Sequence, residues 1–283
     1  MRFSVKQGLS PISLFLVCCV YGPAIFAEGK MQEIPYVEDG DAYRRARCKL
    51  DVHIPDATTG FPTVVWFHGG GLTEGEKHFL PFTGLSAIDG RSKIAQIAVN
   101  YRLMSETNGV RGVDCIRDAA AAVAWSLGHV AEYGGDPKRV YVAGMSAGAY
   151  LAMMIGMDAQ YLGKHGFRPA DLAGIISVSG QATKHFAVRK FEGDGDSQFL
   201  PKLDELAPMS HVSADLPMIV SICGQPPYEL KGRAEENRLL IASCVALGHK
   251  RAYHLELPLC NHGRAYHAAV PYIEMIVTGQ LQL

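Results

Sequence analysis

A serine hydroxyl does covalent chemistry only where a base can take its proton and no neighbouring side chain blocks the approach of an electrophile. Ser146 stands in Gly144-Met145-Ser146-Ala147-Gly148, a G-x-S-x-G string between a β-rich run and a helical one. At such a junction the serine sits on a tight, strained turn, and the flanking glycines keep side chains away from it. The string alone recurs by chance in Gly-rich chains. Its place between strand and helix is what makes Ser146 a candidate nucleophile.

The second constellation is His68-Gly69-Gly70-Gly71, directly after the apolar run Thr63 to Phe67. Glycines leave backbone NH groups uncovered, and a tetrahedral oxyanion needs two or three such donors, each lowering the barrier by roughly 3 kcal/mol. Gly70 and Gly71, joined by the NH of Ala147 just after the serine, are the candidate oxyanion donors. His68 is read as structural, fixing the loop through a hydrogen bond. A phosphate cradle is the competing reading, but the run has no Lys-Ser/Thr ending and no helix follows at once. No cofactor and no metal is expected.

Ser146 requires a base downstream, on a loop at the edge of a sheet. Of eleven histidines, His262 in Asn261-His262-Gly263 follows the last β-rich run and precedes the last helical one. Asn-His-Gly is also turn chemistry that exposes a side chain. His267, one turn into the following helix, is the reserve.

These residues must be positioned by strands and helices that alternate. Strands are expected at residues 49–55, 63–67, 96–103, 139–143, 173–179, 217–223 and 251–257, and helices at 112–133, 147–158, 232–247 and 264–277. In the first helix Ile116, Ala120, Val123, Leu127 and Val130 mark one face, and Gly134-Gly135 ends it. Such alternation implies an α/β fold, a mostly parallel sheet covered by helices on both faces. Ligands then bind beyond the carboxyl ends of the strands, where the singled-out residues fall. The one long irregular stretch, residues 180–215, is either a small lid over the site or a plain surface excursion, and its length favours the lid. Asp114, Arg117 and Asp118 fit the dipole and polar face of their helix, and Arg102 anchors the loop after its strand.

Composition narrows the function classes. The 283 residues are 48% hydrophobic and 19% charged, enough for one large core. A formal net charge of -1 supplies no basic field for nucleic acid. Arg2 and Lys6, the apolar run Ile12 to Val20, then Gly22, Pro23, Ala24 and Ala27 have the order of a cleaved leader over residues 1–27, leaving a catalytic domain at 28–283 that is secreted or periplasmic and has no membrane span. Val17 before Cys18 and Cys19 argues against a lipid anchor. Of seven cysteines, removal of those two leaves five, an odd number read as buried apolar side chains rather than staples.

Four strings carry a family resemblance: His68-Gly69-Gly70-Gly71, Val99-Asn100-Tyr101-Arg102-Leu103, Gly135-Asp136-Pro137-Lys138-Arg139-Val140 and Gly144-Met145-Ser146-Ala147-Gly148. They resemble the carboxylesterase and hormone-sensitive-lipase-like α/β-hydrolases. Ala207-Pro208-Met209-Ser210-His211-Val212 is similar to the segment before the seventh strand of small bacterial acetyl-xylan and feruloyl esterases. The likeness runs from about Lys49 to the C-terminus. It implies the α/β-hydrolase fold, an acyl-Ser146 intermediate and His262 as base.

One position departs from that pattern. Where the resemblance implies an aspartate after the seventh strand, the chain reads Gly224-Gln225-Pro226-Pro227-Tyr228-Glu229. Glu229 is the nearest carboxylate and can orient an imidazole as an aspartate does. Asp194 and Asp196 offer another geometry, Glu235 and Glu236 read as solvated first-turn charges, and a site with no working acid stays open. The resemblance implies a serine esterase (EC 3.1.1.-) acting on a small-molecule or polysaccharide ester, with acetyl or feruloyl groups on plant polysaccharide as the analogy. A peptidase or amidase on the same fold, and a binding module that has lost turnover, are the alternatives.

Overall fold

The computed structural model describes residues 30–55, 59–78, 93–194 and 200–281. The expected leader over residues 1–27 lies outside them. Among the described residues eight strands form one sheet: β1 (Lys30–Pro35), β2 (Lys49–His53), β3 (Phe61–Phe67), β4 (Ala95–Val99), β5 (Gly135–Met145), β6 (Gly174–Val178), β7 (Met218–Gly224) and β8 (Ala252–Leu257). Their order is β1-β2-β4-β3-β5-β6-β7-β8. β1 and β2 form an antiparallel margin, and every pairing from β4 to β8 is parallel.

Parallel strands joined by crossover helices are covered on both faces, so both alternating residue sets must be apolar. In β3, Val65 and Phe67 enter one core, where Ala120, Val123, Leu151, Ile155 and Leu240 of the helices Gly112–His129, Ala147–Met157 and Arg233–Ala246 meet them. Val64 and Trp66 enter the other, against Val270, Ile273 and Val277 of the helix Val270–Thr278. β3, β4 and β6 are buried at every position. This sandwich is the mostly parallel α/β fold expected from the alternation.

Several elements differ from expectation for local reasons. β1 and the helix Ala42–Arg47 were not foreseen; that helix is capped by the Asp41 side chain, which accepts from the Arg44 NH at 2.7 Å, and buries no residue, so it leaves no periodic signature. The strand expected over residues 96–103 stops at Val99. Beyond it Tyr101 turns fully inward and donates its hydroxyl to the carbonyl of His68 at 2.8 Å. The final helix is two, His262–Ala268 and Val270–Thr278, with a proline in the first turn of the second.

The described residues of the stretch 180–215, which leave out 195–199, form a packed flank and not the expected cover. They contain the helix Phe186–Glu192 and the 3-10 turn Pro208–His211. Tyr150 of the helix Ala147–Met157 donates its hydroxyl to Leu206 O at 2.7 Å. Lys184, 4% exposed, is gripped by Asp194 at 2.6 Å, Asp204 at 2.9 Å and Glu192. None of the described residues of this stretch lines the cavity at Ser146.

Asp118 also corrects its reading. It is fully buried, accepting from Arg102 Nε at 2.6 Å and Nη2 at 2.9 Å and from Arg44 Nε at 2.9 Å. The anchoring role of Arg102 follows from that fork. Among the described residues, Cys48, Cys115, Cys223 and Cys244 are buried free thiols and Cys260 is half-buried. Burial pushes Cys48 and Cys223 up to about 12. Among the described residues no helix is long and apolar enough to cross a membrane.

Candidate active site

β5 delivers Ser146 at its carboxyl end, and the helix Ala147–Met157 starts at the next residue. Ser146 holds φ 55° and ψ -115°, a backbone state that costs a non-glycine residue on the order of 1 to 3 kcal/mol. Crowding keeps the two glycines. A Cβ on Gly148 would lie 2.0 Å from Phe67 O, and one on Gly144 2.4 Å from the carbonyl carbon of Gly148. Any side chain there would push the turn off β3. The strained bend is tied to the sheet by the Ser146 NH, which donates to Val178 O at 2.8 Å.

His262 opens the helix His262–Ala268, after Asn261 has capped it by accepting from the Arg264 NH at 2.9 Å. Its Nε2 lies 3.0 Å from Ser146 Oγ, and its Nδ1 lies 2.8 Å from Glu229 Oε1. A carboxylate on Nδ1 fixes the neutral tautomer with Nδ1–H, so Nε2 carries the lone pair that the serine hydroxyl meets. His267, the reserve, is exposed and packs edge-on against Tyr266 without reaching Ser146.

Glu229 reaches this position from the loop after β7. Its side chain is 1% exposed, and both oxygens are used. Oε2 accepts from Ser179 Oγ at 2.7 Å and the Gly224 NH at 3.0 Å, and Oε1 from the Leu230 NH at 2.8 Å as well as from His262. Burial pushes the carboxyl up, but the hydrogen bonds from His262, Ser179 and Leu230 outweigh it and hold Glu229 at about 2. The other candidate acids lie elsewhere. Asp194 is bound to Lys184 and Lys202, Asp196 lies outside the described residues, and Glu235 is exposed. Glu236 is not a solvated charge, since it accepts from the NH groups of Ala182 and Thr183, each at 3.1 Å.

A cavity of about 520 Å³ opens over Ser146 and His262, walled by Gly69, Gly70, Glu74, Met145 and Tyr266. Gly70 O accepts from the NH groups of Thr73 and Glu74, both at 3.0 Å, closing a turn that needs φ +101° at Gly70. Gly71 follows at the side of Phe186, whose Cζ lies 3.7 Å from where a Cβ would stand. The NH of Ala147 is among the first four of its helix, which have no acceptor within the helix. His68 is buried, stacked on Tyr101 at 4.4 Å, and bonded through Nδ1 to Gly69 O at 2.7 Å. Burial lowers it to about 4, so it is neutral and holds the loop, as its position in the sequence suggests.

Ser146, His262 and Glu229 are thus brought into one line, and Gly70 into the wall beside them. Tyr266 and Glu74 are wall residues that sequence reasoning missed. Tyr266 had a signal, since it follows His262 by one helical turn. Glu74 lies three residues past the last glycine of its motif and had none. Among the described residues no group of three or more His, Cys, Asp or Glu is placed to hold a metal ion.

In sequence and fold the chain is similar to proteins named as esterases. The BD-FAE family model matches residues 50–180. A probable isoprenylcysteine alpha-carbonyl methylesterase of Oryza sativa subsp. japonica is 34% identical over 154 residues, covering 51% of this chain and 35% of that protein. The probable carboxylic ester hydrolase LipM of Mycobacterium tuberculosis (strain ATCC 25618 / H37Rv) is 26% identical over 273 residues, covering 83% of this chain and 60% of LipM. The chain therefore spans between about a third and three fifths of the length of these relatives. The native Est2 esterase of Thermogutta terrifontis superposes with a TM-score of 0.68 at 19% identity, covering 89% of this chain and 92% of that one. At that identity the superposition speaks for the fold alone.

Proposed function

We propose that this chain, an α/β-hydrolase by fold, is a serine carboxylic ester hydrolase with Ser146 as nucleophile, His262 as general base and Glu229 as the acid that orients the imidazole. The observation that carries the reading is the unbroken line from Ser146 Oγ to His262 Nε2 at 3.0 Å and from Nδ1 to Glu229 Oε1 at 2.8 Å. The BD-FAE match and the esterase relatives support the same reaction class.

In this reaction His262 Nε2 takes the hydroxyl proton as Oγ attacks the ester carbonyl. The negative charge that develops on the carbonyl oxygen is met by the NH groups of Gly70, Gly71 and Ala147. His262, now cationic and stabilised by Glu229, gives the proton to the departing alcohol, leaving acyl-Ser146. Water enters by the same steps in reverse order, with His262 again as base, and releases the acid. The one ground for a binding module without turnover was the missing aspartate, and Glu229 supplies a carboxylate to Nδ1 in its stead.

The wall of Met145, Tyr266 and glycines suits a short or aromatic acyl group, and acetyl or feruloyl esters of plant polysaccharide are the substrates we propose. The leader order of residues 1–27 fits export, where such polymers are met. The test is hydrolysis of short-acyl, long-acyl and feruloyl aryl esters by the protein beside Ser146→Ala and His262→Ala. Loss in both variants with a short-acyl or feruloyl preference is expected. A Ser146→Ala variant as fast as the parent overturns the reading, and a long-acyl preference overturns its substrate half.

A further inference from the structure

Ser179, one residue past β6, is fully buried, carries φ 49° and has no place in the motifs that point to the site. Positive φ is a state that glycine adopts freely and other residues rarely do, so a serine here is held against its backbone preference. Every polar group of the residue is engaged. The Ser179 NH donates to Ile222 O of β7 at 2.7 Å, its carbonyl accepts from Arg233 Nη1 at 3.0 Å, and its hydroxyl donates to Glu229 Oε2 at 2.7 Å. Arg233 is itself buried, and Asn237, one turn on, donates to the next carbonyl, Gly180 O, at 2.8 Å. Two side chains of the helix Arg233–Ala246 therefore clamp the turn that aims the Ser179 hydroxyl.

Glu229 faces His262 with only one of its oxygens. A carboxylate at the end of a glutamate side chain has one more rotatable bond than an aspartate, and each free rotor dilutes the productive geometry. Oε2 is immobilised by Ser179 from the β6 side and by the NH of Gly224, the last residue of β7. Gly224 belongs to the strand that leads into the Glu229 loop, whereas Ser179 follows β6, the strand paired with β5, and so ties the acid to the neighbour of the strand that delivers Ser146.

We propose that Ser179 is a positioning residue for the reaction: its hydroxyl, aimed by a strained turn clamped by Arg233 and Asn237, fixes the carboxylate of Glu229 so that Oε1 stays on His262. This rests on the esterase reading above. The strain and the hydroxyl make opposite demands on the residue, which separates a positioning role from a merely structural one. Ser179→Gly relieves the backbone and removes the donor. Ser179→Thr keeps the donor on a β-branched side chain that suits positive φ poorly.

The experiment measures melting temperature, kcat and KM on a short-acyl aryl ester for the parent, Ser179→Gly, Ser179→Thr, Glu229→Gln and the double variant Ser179→Gly with Glu229→Gln. Ser179→Gly is expected to melt at or above the parent yet lose about tenfold in kcat with KM unchanged, the loss expected for one charge-assisted hydrogen bond. Ser179→Thr is expected to melt lower and to turn over faster than Ser179→Gly. In the Glu229→Gln background the glycine substitution should cost nothing further, because the carboxylate through which Ser179 acts is gone. An activity order that follows the stability order, or the same tenfold loss in both backgrounds, overturns the proposal. Full activity of Ser179→Gly beside an inactive Ser146→Ala overturns it alone, whereas an active Ser146→Ala overturns the esterase reading with it.

Discussion

Replacing Glu229 by aspartate restores the residue type that the family resemblance implies, yet the structure makes it a damaging change. The loop after β7 cannot advance to compensate: the Glu229 NH donates to Gln225 O at 3.3 Å, and the Gln225 NH donates to Leu257 O of β8 at 3.1 Å. Loss of one methylene withdraws the carboxylate by about 1.5 Å, taking the 2.8 Å contact with His262 Nδ1 to about 4 Å, beyond hydrogen-bond range. Ser179 Oγ, 2.7 Å away, and the Gly224 NH, 3.0 Å away, lose their acceptor at the same time. With partial relaxation, the imidazolium formed in the transition state loses about 3 kcal/mol, or roughly a hundredfold in kcat, and KM changes little. The assay is steady-state hydrolysis of a short-acyl nitrophenyl ester by the parent and Glu229→Asp at a pH where the parent is maximal. A Glu229→Asp variant within threefold of the parent would refute the reasoning, since the acid would then not depend on the reach of this side chain.

Three further outcomes follow from other parts of the molecule. Glu229 is held at about 2 against an ordinary 4.5, so its stabilising contribution, about 3 kcal/mol, is fully present above the ordinary value and lost as pH falls through about 2. Thermal melts from pH 6 to pH 2 should therefore fall more steeply for the parent than for Glu229→Gln, and parallel curves would contradict this. Gly148→Ala, whose Cβ would meet Phe67 O at 2.0 Å, should lose at least about 3 kcal/mol or fail to fold, whereas Gly163→Ala, with no atom within 4 Å of its Cβ, should melt within a degree or two of the parent or above it. Lys184→Met removes the buried cation on which Glu192, Asp194 and Asp204 converge and leaves Lys202 beside Asp194, so denaturant titration at pH 7 should show a loss of about 3 kcal/mol, and an unchanged midpoint would contradict this.

The central strands β3, β4 and β6 were legible because they are buried on both faces and read as short apolar runs between turn residues, whereas β1 at the margin was not. Ser146 and Gly70 were legible because their motifs are local, and His262 because base and nucleophile have a fixed chain order. Glu229 was visible only as the nearest carboxylate. What selects it is a loop path and three donors from Ser179, Gly224 and Leu230, none of which has a spacing of its own in the chain. Asp118 was misread for the converse reason. Its place near the start of a helix fits a dipole partner, but the two arginines that bury it arrive from residues 74 and 16 positions away. Residues 180–215 read as a lid because long irregular stretches are more often functional than idle, and only the structure brings Lys184 to three carboxylates at once.

The most direct measurement is the mass of the protein after a brief pulse of an activated short-acyl ester followed by an acid quench, with peptide mapping. An acyl group on Ser146, absent from Ser146→Ala and strongly reduced in His262→Ala, is the expected result. Ester turnover by the parent with no acyl group on Ser146, or undiminished turnover by Ser146→Ala, would contradict the assignment of Ser146 as the nucleophile.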